Sequence, residues 1–545
     1  MGYPANIVGF ISIDCGATNA YTDSQTGLNW VPDDDYIKVG NLTTLQETNL
    51  VTVLKTLRVF PNAAANKYCF ELPVLKNRKY LVRTSYYYGD YDGRKSPPVF
   101  EQIIEGTLWT TVNTTLDYSQ GSYTFYEMVI QSTGKSLSVC LARNENTIGD
   151  PFISALELRR LESSMYNSTD FGKYALHLVS RHSFGYSGGN IIRYPDDPYD
   201  RFWKPFQDFH QNVSGKLNTT AMDLWNIPPP KVLETALAED NLQPMEIQWP
   251  TKYVKDTSYY IALYFQNLDI ADPQRQRIFN ISVNGINFFS ELNVSTMPLM
   301  VYKSNWTLSG LTNLLLTPVS QSSLGPIINA GEVFEVVTLG GRTITRDVMA
   351  LKEIKNTLVN VPSDWSGDPC LPVGYSWTGI TCSKSSSSRV GVLNLTGAGS
   401  SGLISPSIAN LTALSHIWLG NNNLSGPIPN LDSLKFLSSL HLEDNNLIGE
   451  IPESLEQLKY LSELIHPGNP LLVDTALTPA PTSSQSNNVQ GTKCDLRSMA
   501  WGLLILVSMT SFRRTLSPAT HECSLQNGDI IFSVSSGLHT ILVSV

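Results

Sequence analysis

The chain has 545 residues, a formal charge of −10 and seven cysteines, and 42% of its residues are hydrophobic. This length is too great for one ordinary domain and predicts several buried cores. Nucleic-acid partners are held by clustered Lys and Arg side chains, and no such cluster is found, so we expect no nucleic-acid binding.

Acceptor sequences for N-linked glycans are frequent and all precede Ala476. They favour a glycosylated protein of the secretory pathway, although chance in a chain rich in Asn, Ser and Thr would give some of them. The N-terminus, MGYPANIVGFISIDCGA, contains no signal peptide, and we expect that the leader is missing from this chain. The acceptors are Asn41, Asn113, Asn167, Asn212, Asn218, Asn280, Asn293, Asn305, Asn394, Asn410 and Asn423.

Short alternating runs between Gly, Pro, Asn and Asp predict strands throughout residues 7–345. The similarity of KYLVRTSYYYGDYDG to SYYIALYFQNLDIAD predicts two related β-sandwiches, residues 7–165 and 166–345. Their three cysteines cannot all pair with one another. We favour a Cys69–Cys140 bond, with Cys15 buried and free, but the pairing stays open.

The stretch YYYGDYDG raises the question of whether its tyrosines are core or ligand platform. Tyr86 and Tyr88 share a strand face with Val82 and are predicted to be core. Asp90, Tyr91 and Asp92 follow the strand end, where side chains are expected to be free to bind.

A helix and a small cap are predicted over residues 346–389. Helical spacing places Val348, Leu351, Ile354 and Leu358 on one face. Cys370 and Cys382 follow within WSGDPCLPVGYSWTGITC and are close enough in sequence to form a disulfide.

Residues 390–468 contain a leucine-rich repeat. Leu395, Leu419 and Leu442 are spaced by 24 and 23 residues, within the range of such repeats. Asn422 and Asn445 are expected to satisfy backbone groups at the turns. Asn394, Trp418 and His441 form a ladder on the strand face. This ladder is either a stripe that binds a protein or a set of solvent-exposed residues without a binding role.

Beyond the repeats we predict a linker at 469–498, a hydrophobic segment at 499–512 and an atypical tail at 513–545. The hydrophobic segment is shorter than a membrane span and is similar to a lipid-anchor signal, so membrane attachment is possible. The sequence leaves open whether the protein is lipid-anchored, membrane-spanning or soluble, and whether residues 513–545 are part of the protein in the cell.

Catalytic chemistry has one possible basis, the motif GYSGG with Ser187 as nucleophile and Asp200 and His210 downstream. A nucleophile elbow needs a helix directly after the serine, and Pro195 and Pro198 prevent one there. The carboxylates Asp196, Asp197 and Asp200 could suggest glycosidase chemistry, but an aspartate-rich loop is more often capping or solvated. No metal-ligand spacing is present, so we expect no enzyme, metal or cofactor.

Several motifs together resemble the plant malectin-like ectodomain: ISIDCGA, YLVRTSYYYGDYDG, GDPFISALELRRL and RYPDDPYDRFWKP. The segment from WSGDPCLP to WTGITC resembles its junction with leucine-rich repeats. The resemblance implies a mainly β protein of two tandem malectin-like sandwiches and a short leucine-rich-repeat solenoid. It further implies a cell-surface, receptor-like recognition protein, here similar to the members without a kinase.

The resemblance also implies a ligand. Animal malectin holds sugar with loop aromatics and an aspartate, and the similarity places Asp150 at that aspartate and Asp90-Tyr91 and Asp269-Ile270 at an aromatic pair. The ligand is expected to be a glycan or a peptide, with a receptor kinase as probable co-receptor partner. The expected location is the extracellular face of the plasma membrane or the cell wall. A soluble lectin for glucosylated or cell-wall glycans is the alternative, and a serine hydrolase a distant one.

Overall fold

The computed structural model describes residues 10–47, 49–61, 63–216, 224–239, 241–269, 275–385 and 387–473, and the backbone of 520–526, 529–536 and 539–544. The chain divides into two compact units, Met1–Leu477 and Thr478–Val545. None of the helices in the described part of the chain has the length and apolar character needed to cross a bilayer. The predicted hydrophobic segment and the acceptor Asn218 lie outside the described residues.

The first lobe is a β-sandwich with one short helix, α1 (Thr115–Ser119). Its strands are β1 (Phe10–Asp14), β2 (Tyr21–Thr22), β3 (Asn29–Pro32), β4 (Asn41–Thr44), β5 (Thr56–Val59), β6 (Tyr68–Pro73), β7 (Lys79–Tyr86), β8 (Phe100–Ile104), β9 (Thr107–Val112), β10 (Thr124–Gln131), β11 (Ser136–Ala142), β12 (Phe152–Ile153) and β13 (Ala155–Arg160).

The second lobe repeats the sandwich. Its strands are β14 (Tyr174–Phe184), β15 (Lys204–Phe206), β16 (Gln211–Ser214), β17 (Thr235–Ala238), β18 (Met245–Gln248), β19 (Val254–Phe265), β20 (Ile278–Val283), β21 (Ile286–Asn293), β22 (Leu299–Gly310), β23 (Asn313–Pro318), β24 (Ile327–Ile328) and β25 (Ala330–Thr338).

The two sandwiches predicted from the sequence share one sheet. Its order is β2-β3-β1-β13-β7-β10-β14-β25-β19-β22, with β15 added beside β14, so the β10–β14 pair joins the lobes. Each lobe packs a separate sheet against this one, β6-β11-β8-β9 in the first lobe and β18-β23-β20-β21 in the second. Tyr86 and Tyr88 are 0% and 1% exposed in the core of the first lobe, which confirms the prediction made for them.

A row of alternating charges crosses the shared sheet. It consists of Glu157 on β13, Arg83 on β7, Glu127 on β10, Arg181 on β14 and Glu332 on β25, all with side chains at most 2% exposed. Arg83 lies 3.1 Å from Glu157 and 2.7 Å from Glu127, and Arg181 pairs with Glu127 and, at 2.7 Å, with Glu332. Burial alone would raise the pKa of Glu127, but the two guanidinium groups lower it. The ion pair between Glu127 and Arg181 therefore links the first lobe to the second.

Residues 192–206, here called the strap, cover this charged row. The strap contributes its own buried ion pairs, namely Asp200 with Arg83 (3.2 Å), Arg159 (2.9 Å) and Arg193 (2.8 Å), and Asp197 with Arg201 (2.8 Å). Phe202 lies over the guanidinium of Arg83 at 3.3 Å. Asp197 and Asp200 are fully buried and accept from the backbone amides of Tyr199 and Tyr194, so of the two predicted alternatives capping holds for them, whereas the solvated alternative holds only for Asp196. RYPDDPYDRFWKP is a structural motif that closes one face of the shared sheet.

The third part of the first unit is a helical cap and a leucine-rich-repeat solenoid. Helix α2 (Thr345–Thr357) buries Leu351 and Ile354, as predicted, whereas Leu358 lies beyond the end of the helix, in a short strand. The strands are β26 (Arg342–Thr343), β27 (Leu358–Val359), β28 (Ile380–Cys382), β29 (Ser387–Ser388), β30 (Val390–Asn394), β31 (Ser401–Leu403), β32 (His416–Trp418), β33 (Asn423–Gly426), β34 (Ser439–His441), β35 (Asn446–Glu450), β36 (Glu463–Ile465) and β37 (Leu471–Val473).

Asparagines hold the turns of the solenoid. The side chain of Asn422 donates to the carbonyl of Leu395 at 2.7 Å, and that of Asn445 donates to the carbonyl of Leu419 at 3.0 Å, as predicted. Asn469 repeats the pattern, because its side chain donates to the carbonyl of Leu442 at 2.9 Å. The solenoid therefore continues to β37, and residues 469–473 belong to it rather than to the predicted linker.

The cap docks on the first lobe, although the second lobe precedes it in the chain. The ammonium of Lys67, whose residue is fully buried, donates to the carbonyls of Asp368 (2.5 Å) and Leu371 (2.7 Å). Gly367 approaches the Cys69–Cys140 disulfide so closely that an added Cβ would lie 2.7 Å from the sulfur of Cys69. Polar contacts and close packing thus fix the cap to this lobe.

Two disulfides and one free thiol are found among the described cysteines. Cys69 is bonded to Cys140 on the paired strands β6 and β11, and Cys370 is bonded to Cys382 within the cap. Cys15 is buried and free.

The second unit, Thr478–Val545, contains a three-stranded antiparallel sheet. Its strands are β38 (Thr520–Gln526), β39 (Asp529–Ser536) and β40 (His539–Ser544), which lie within the predicted tail.

Replacement of Glu127 by Gln tests the charged row. The substitution leaves Arg83 and Arg181 without their shared carboxylate, and loss of one partner of a buried pair costs about 3–5 kcal/mol. The urea midpoint of the sandwich transition should fall accordingly. The control is Asp170→Asn at the exposed pair with Lys173, where we expect a change below about 1 kcal/mol. Equal effects of the two substitutions would contradict this account.

Replacement of Lys67 by Met tests the docking of the cap. Two buried carbonyls lose their donor, at a cost of about 1–3 kcal/mol each. Hydrogen exchange should increase in residues 344–383 of the variant and stay unchanged in the strands of the second lobe. Unchanged exchange in the cap would show that Lys67 does not hold it.

Candidate functional site

A cleft of about 960 Å³ opens between the lobes, and Phe202 and Lys204 at the end of the strap are among the residues that line it. Strands β10 and β14 pair only at Met128–His177 and Val129–Leu176. Beyond these two pairs the strands separate, and residues 124–127 and 178–182 line the cleft between them. The geometry of the lobe junction therefore produces the cavity.

A β-bulge places two histidines on the cleft face of β14. His177 is opposite Glu335 on β25 and His182 is opposite Gly331, and the register shifts between Leu178 and Ser180. Residues five apart in a regular strand lie on opposite faces, but the extra residue of the bulge brings these two histidines to the same face.

Each histidine is held by a tryptophan from a different lobe. The indole N–H of Trp109 donates to Nδ1 of His177 at 2.7 Å, and the indole N–H of Trp249 donates to Nδ1 of His182 at 2.9 Å. Burial, with Lys255 nearby, lowers the pKa of His177 to about 4. Burial, with Lys204 and Lys252 nearby, lowers the pKa of His182 to about 3. Both rings are therefore neutral, with the proton on Nε2.

The cleft carries positive charge in an acidic protein. Lys204, Lys252 and Lys255 line it, and the ammonium of Lys204 lies 4.7 Å from the ring of Phe125. Lys255 pairs with Glu335 at 3.7 Å. Within the described part of the chain, no carboxylate lies within ion-pair distance of Lys204 or Lys252.

The loop after β7 is bound internally rather than free. The ring of Tyr91 packs on Tyr88 (5.4 Å) and Phe152 (5.3 Å), and its hydroxyl donates to the carbonyl of Asp150 at 2.7 Å. Burial, together with the charges of Asp92 and Asp150, raises the pKa of Tyr91. The expectation that Tyr91 is free to bind is wrong, because the ring completes the end of the core.

The carboxylates beside Tyr91 have partners as well. Asp90 accepts from the amide of Lys95 at 2.7 Å, and Asp92 accepts from the hydroxyl of Tyr88. Asp150 forms an ion pair with Arg143. The structure thus brings Tyr91 and Asp150 together, as the resemblance implied, but in contacts that stabilise the lobe. It does not bring them to the interlobe cleft.

The residues considered for a hydrolase are not assembled. Ser187 is exposed, and no helix follows it in residues 188–203. Asp200 is enclosed by arginines, and Nδ1 of His210 lies 2.8 Å from the carboxylate of Asp208. This arrangement has no base positioned for Ser187.

The predicted ladder of the solenoid is formed. Asn394, Trp418 and His441 are in register on β30, β32 and β34. The indole of Trp418 donates to the hydroxyl of Ser439 at 2.9 Å, and His441 lies 3.1 Å from Glu463. Asn394 is exposed, so a glycan on it would cover one end of the stripe.

Most of the glycan acceptors in the described residues are exposed. Asn280 is half-buried and accepts from the amide of Glu291 at 2.8 Å. Asn113 lines the cleft, where a glycan would narrow the entrance.

The cleft residues were missed by sequence reasoning, although one signal was present. Strand β14 reads YALHLVSRHSF, and two histidines and an arginine within an apolar strand are unusual for pure core. Their common face could not be deduced, because the bulge reverses the alternation.

Comparison with known proteins agrees with the fold. The profile of the malectin-like domain matches residues 13–336, and that of the leucine-rich-repeat N-terminal domain matches residues 344–383. The ANX2 ectodomain of Arabidopsis thaliana has a TM-score of 0.50 at 17% identity, with 61% of this chain and 97% of that chain covered. The plant receptor-like kinase ANX1 has a TM-score of 0.51 at 17% identity, with 60% and 96% covered.

Similar curated proteins are receptor-like kinases. Two probable leucine-rich-repeat receptor-like serine/threonine-protein kinases of Arabidopsis thaliana are 33% and 35% identical to this chain, over 428 and 427 residues. The matches cover 75% and 74% of this chain but 47% and 46% of the relatives. The chain therefore spans about half the length of these relatives.

The two cleft histidines predict an acid-sensitive fold. Their folded pKa values lie below the value of about 6.5 in the unfolded chain, so the unfolded state binds more protons between about pH 4 and 6.5. Stability should therefore fall as the pH is lowered through this range. In the double variant His177→Gln/His182→Gln the dependence of the urea midpoint on pH should be flatter. An unchanged slope would show that other groups cause the acid sensitivity.

Proposed function

The chain belongs to the malectin-like family, and from this we propose that it is the ligand-recognition part of a plant cell-surface, receptor-like protein that binds its ligand between the two lobes. The interlobe cleft carries this proposal. It is large, it is lined by aromatic rings and a few polar groups, and its walls belong to two lobes fixed by buried ion pairs. These are the properties of a preformed ligand site.

The cleft suits a carbohydrate or a peptide better than the loop after β7 does. Aromatic side chains of the cleft, such as Phe125 and the 79% exposed Tyr253, can stack on a ligand, whereas Tyr91 is engaged in the core. We therefore place the ligand at the lobe junction and assign Asp90, Tyr91, Asp92 and Asp150 a structural role.

The strand face of the solenoid is the proposed surface for a partner receptor. Trp418 and His441 are half-buried on this face, and the exposed aromatic side chains of Phe436 and Tyr460 lie in the segments before β34 and β36. Aromatic residues of this kind are enriched in protein interfaces. Because the cap is fixed to the first lobe, a receptor kinase bound here would be held at a constant distance from the ligand cleft.

This function places the protein outside the cell, at the plasma membrane or the cell wall. The exposed glycan acceptors and the two disulfides support this location. The two candidate partners of Ser187 have other roles among the described residues, since Asp200 is bound by arginines and His210 by Asp208.

Ligand capture by the cleft can be tested with the full chain secreted from a eukaryotic host. Peptide and glycan arrays are probed with the wild type, with Lys204→Met/Lys252→Met and with the surface control Lys173→Met. Loss of two charged contacts should weaken ligand binding by about tenfold or more in Lys204→Met/Lys252→Met. The control Lys173→Met should bind as the wild type does. Tyr91→Phe, which keeps the packed ring, should bind as the wild type does.

Equal binding by the cleft variant and the wild type would place the ligand elsewhere. Loss of binding in Tyr91→Phe alone would return the site to the loop after β7.

A further inference from the structure

Two strand edges in the cleft have no strand partner among the described residues. Strand β10 pairs with β7 along residues 124–131 but with β14 only at Met128 and Val129. Strand β14 pairs with β25 through Leu178 and Arg181, while β15 joins its other side only from His182 onward. Among the described strands, none pairs with the cleft side of residues 124–127 or 178–181.

Unpaired edges offer a regular series of backbone donors and acceptors. The ring of His177 occupies one of these groups, because it donates to the backbone carbonyl of Glu127. The free stretch on each strand is four residues long. A segment of extended peptide has the matching repeat of N–H and C=O groups, whereas a sugar chain does not.

His182 adds a fixed side-chain donor to the cleft. Its Nδ1 accepts from the indole of Trp249, and the hydroxyl of Ser180 lies 2.9 Å from the same nitrogen. The remaining proton is therefore on Nε2, and the described residues provide no acceptor for it. The corresponding donor of His177, on the same strand, is already used by the carbonyl of Glu127, so the two histidines differ.

Arg181 supplies a second unused donor. It lines the cleft floor, its side chain is fully buried, and its Nη2 has no hydrogen-bond partner among the described residues. Burial of a guanidinium nitrogen without a hydrogen-bond partner costs free energy, and an acceptor atom of a ligand would supply the missing partner.

The charges select the kind of peptide. Glu127 pairs with arginines and Glu335 with Lys255, whereas the hydroxyl of Thr124, which donates to Asp117, carries no charge to compensate that carboxylate. Lys204 and Lys252 remain to attract negative charge, which favours acidic side chains on the ligand.

We propose that the cleft binds an acidic peptide in extended conformation, which adds as a β-strand to the free edge of β10 or β14 and places an acceptor on the Nε2–H of His182. This inference rests on the proposed function of the cleft and specifies its ligand class.

The test begins with selection of binders from a displayed library of random dodecapeptides on the full chain. The selected peptide is then resynthesised with each backbone amide methylated in turn, and its affinity is measured by calorimetry. Strand addition uses every second amide, so methylation at alternate positions should weaken binding about tenfold while the intervening positions are tolerated. Tolerance at all positions, or loss without alternation, would overturn the proposal.

Two variants test the donor of His182 and the charge of the cleft. His182→Phe keeps a ring but removes the donor and should weaken the selected peptide about tenfold. Lys204→Met/Lys252→Met should enrich less acidic sequences in a repeated selection, and Lys173→Met should not. The substitution His182→Phe also removes the hydrogen-bond acceptor of Trp249, so the urea midpoint of this variant is measured to check that it is folded. The methylation series uses the wild type and does not depend on this variant. An acidic consensus that survives Lys204→Met/Lys252→Met would contradict the role of these lysines.

A parallel array of neutral and acidic oligosaccharides separates this inference from the proposed function. Binding of an acidic oligosaccharide, lost in Lys204→Met/Lys252→Met and unmatched by any peptide, would support the cleft as ligand site but overturn strand addition. A folded wild type that captures neither peptide nor oligosaccharide would overturn both.

Discussion

The contact between Glu127 and Arg181 is the interaction on which the arrangement of the two lobes depends. It joins β10 to β14 where only two residue pairs link the lobes through the backbone. Each of the two residues is bound by a further charge, and the strap seals the row from solvent. Full charges are tolerated in the interior only when they are compensated, so the row permits one relative position of the lobes.

That fixed position leaves the cleft open between the same two strands. The strands separate beyond the two shared pairs, and the bulge at Val179 brings His177 and His182 to one face of β14. Arg181 pairs with Glu127 in the charged row, and both of these residues also line the cleft. Strand β14 thus contributes both to the charged row and to the lining of the cleft. The tryptophans of the two lobes orient the histidines, and burial lowers the pKa of both rings.

The solenoid is coupled to this assembly through the first lobe. Lys67 and the close approach of Gly367 to the Cys69–Cys140 disulfide hold the cap on the first lobe. Strand β28 of the cap pairs with β30 of the repeats, which joins the solenoid to the cap. A ligand in the cleft and a partner on the Trp418 stripe would therefore belong to one rigid recognition unit. In such a unit, the geometry between ligand and partner is set by the fold rather than by a flexible linker.

The sequence by itself determined the local features: alternating strands, the helix before the cap, the repeat of Leu395, Leu419 and Leu442, and the burial of Tyr86 and Tyr88. These depend on periodicity, which neighbouring residues encode. Only the tertiary structure decided the roles of Tyr91, Asp200 and His182, because each is set by partners distant in the chain. The carboxylate of Asp200 is ionised against arginines from other strands, and a single bulge reverses the face that His182 occupies. Local pattern cannot contain such information, since it arises when separate strands meet in one sheet.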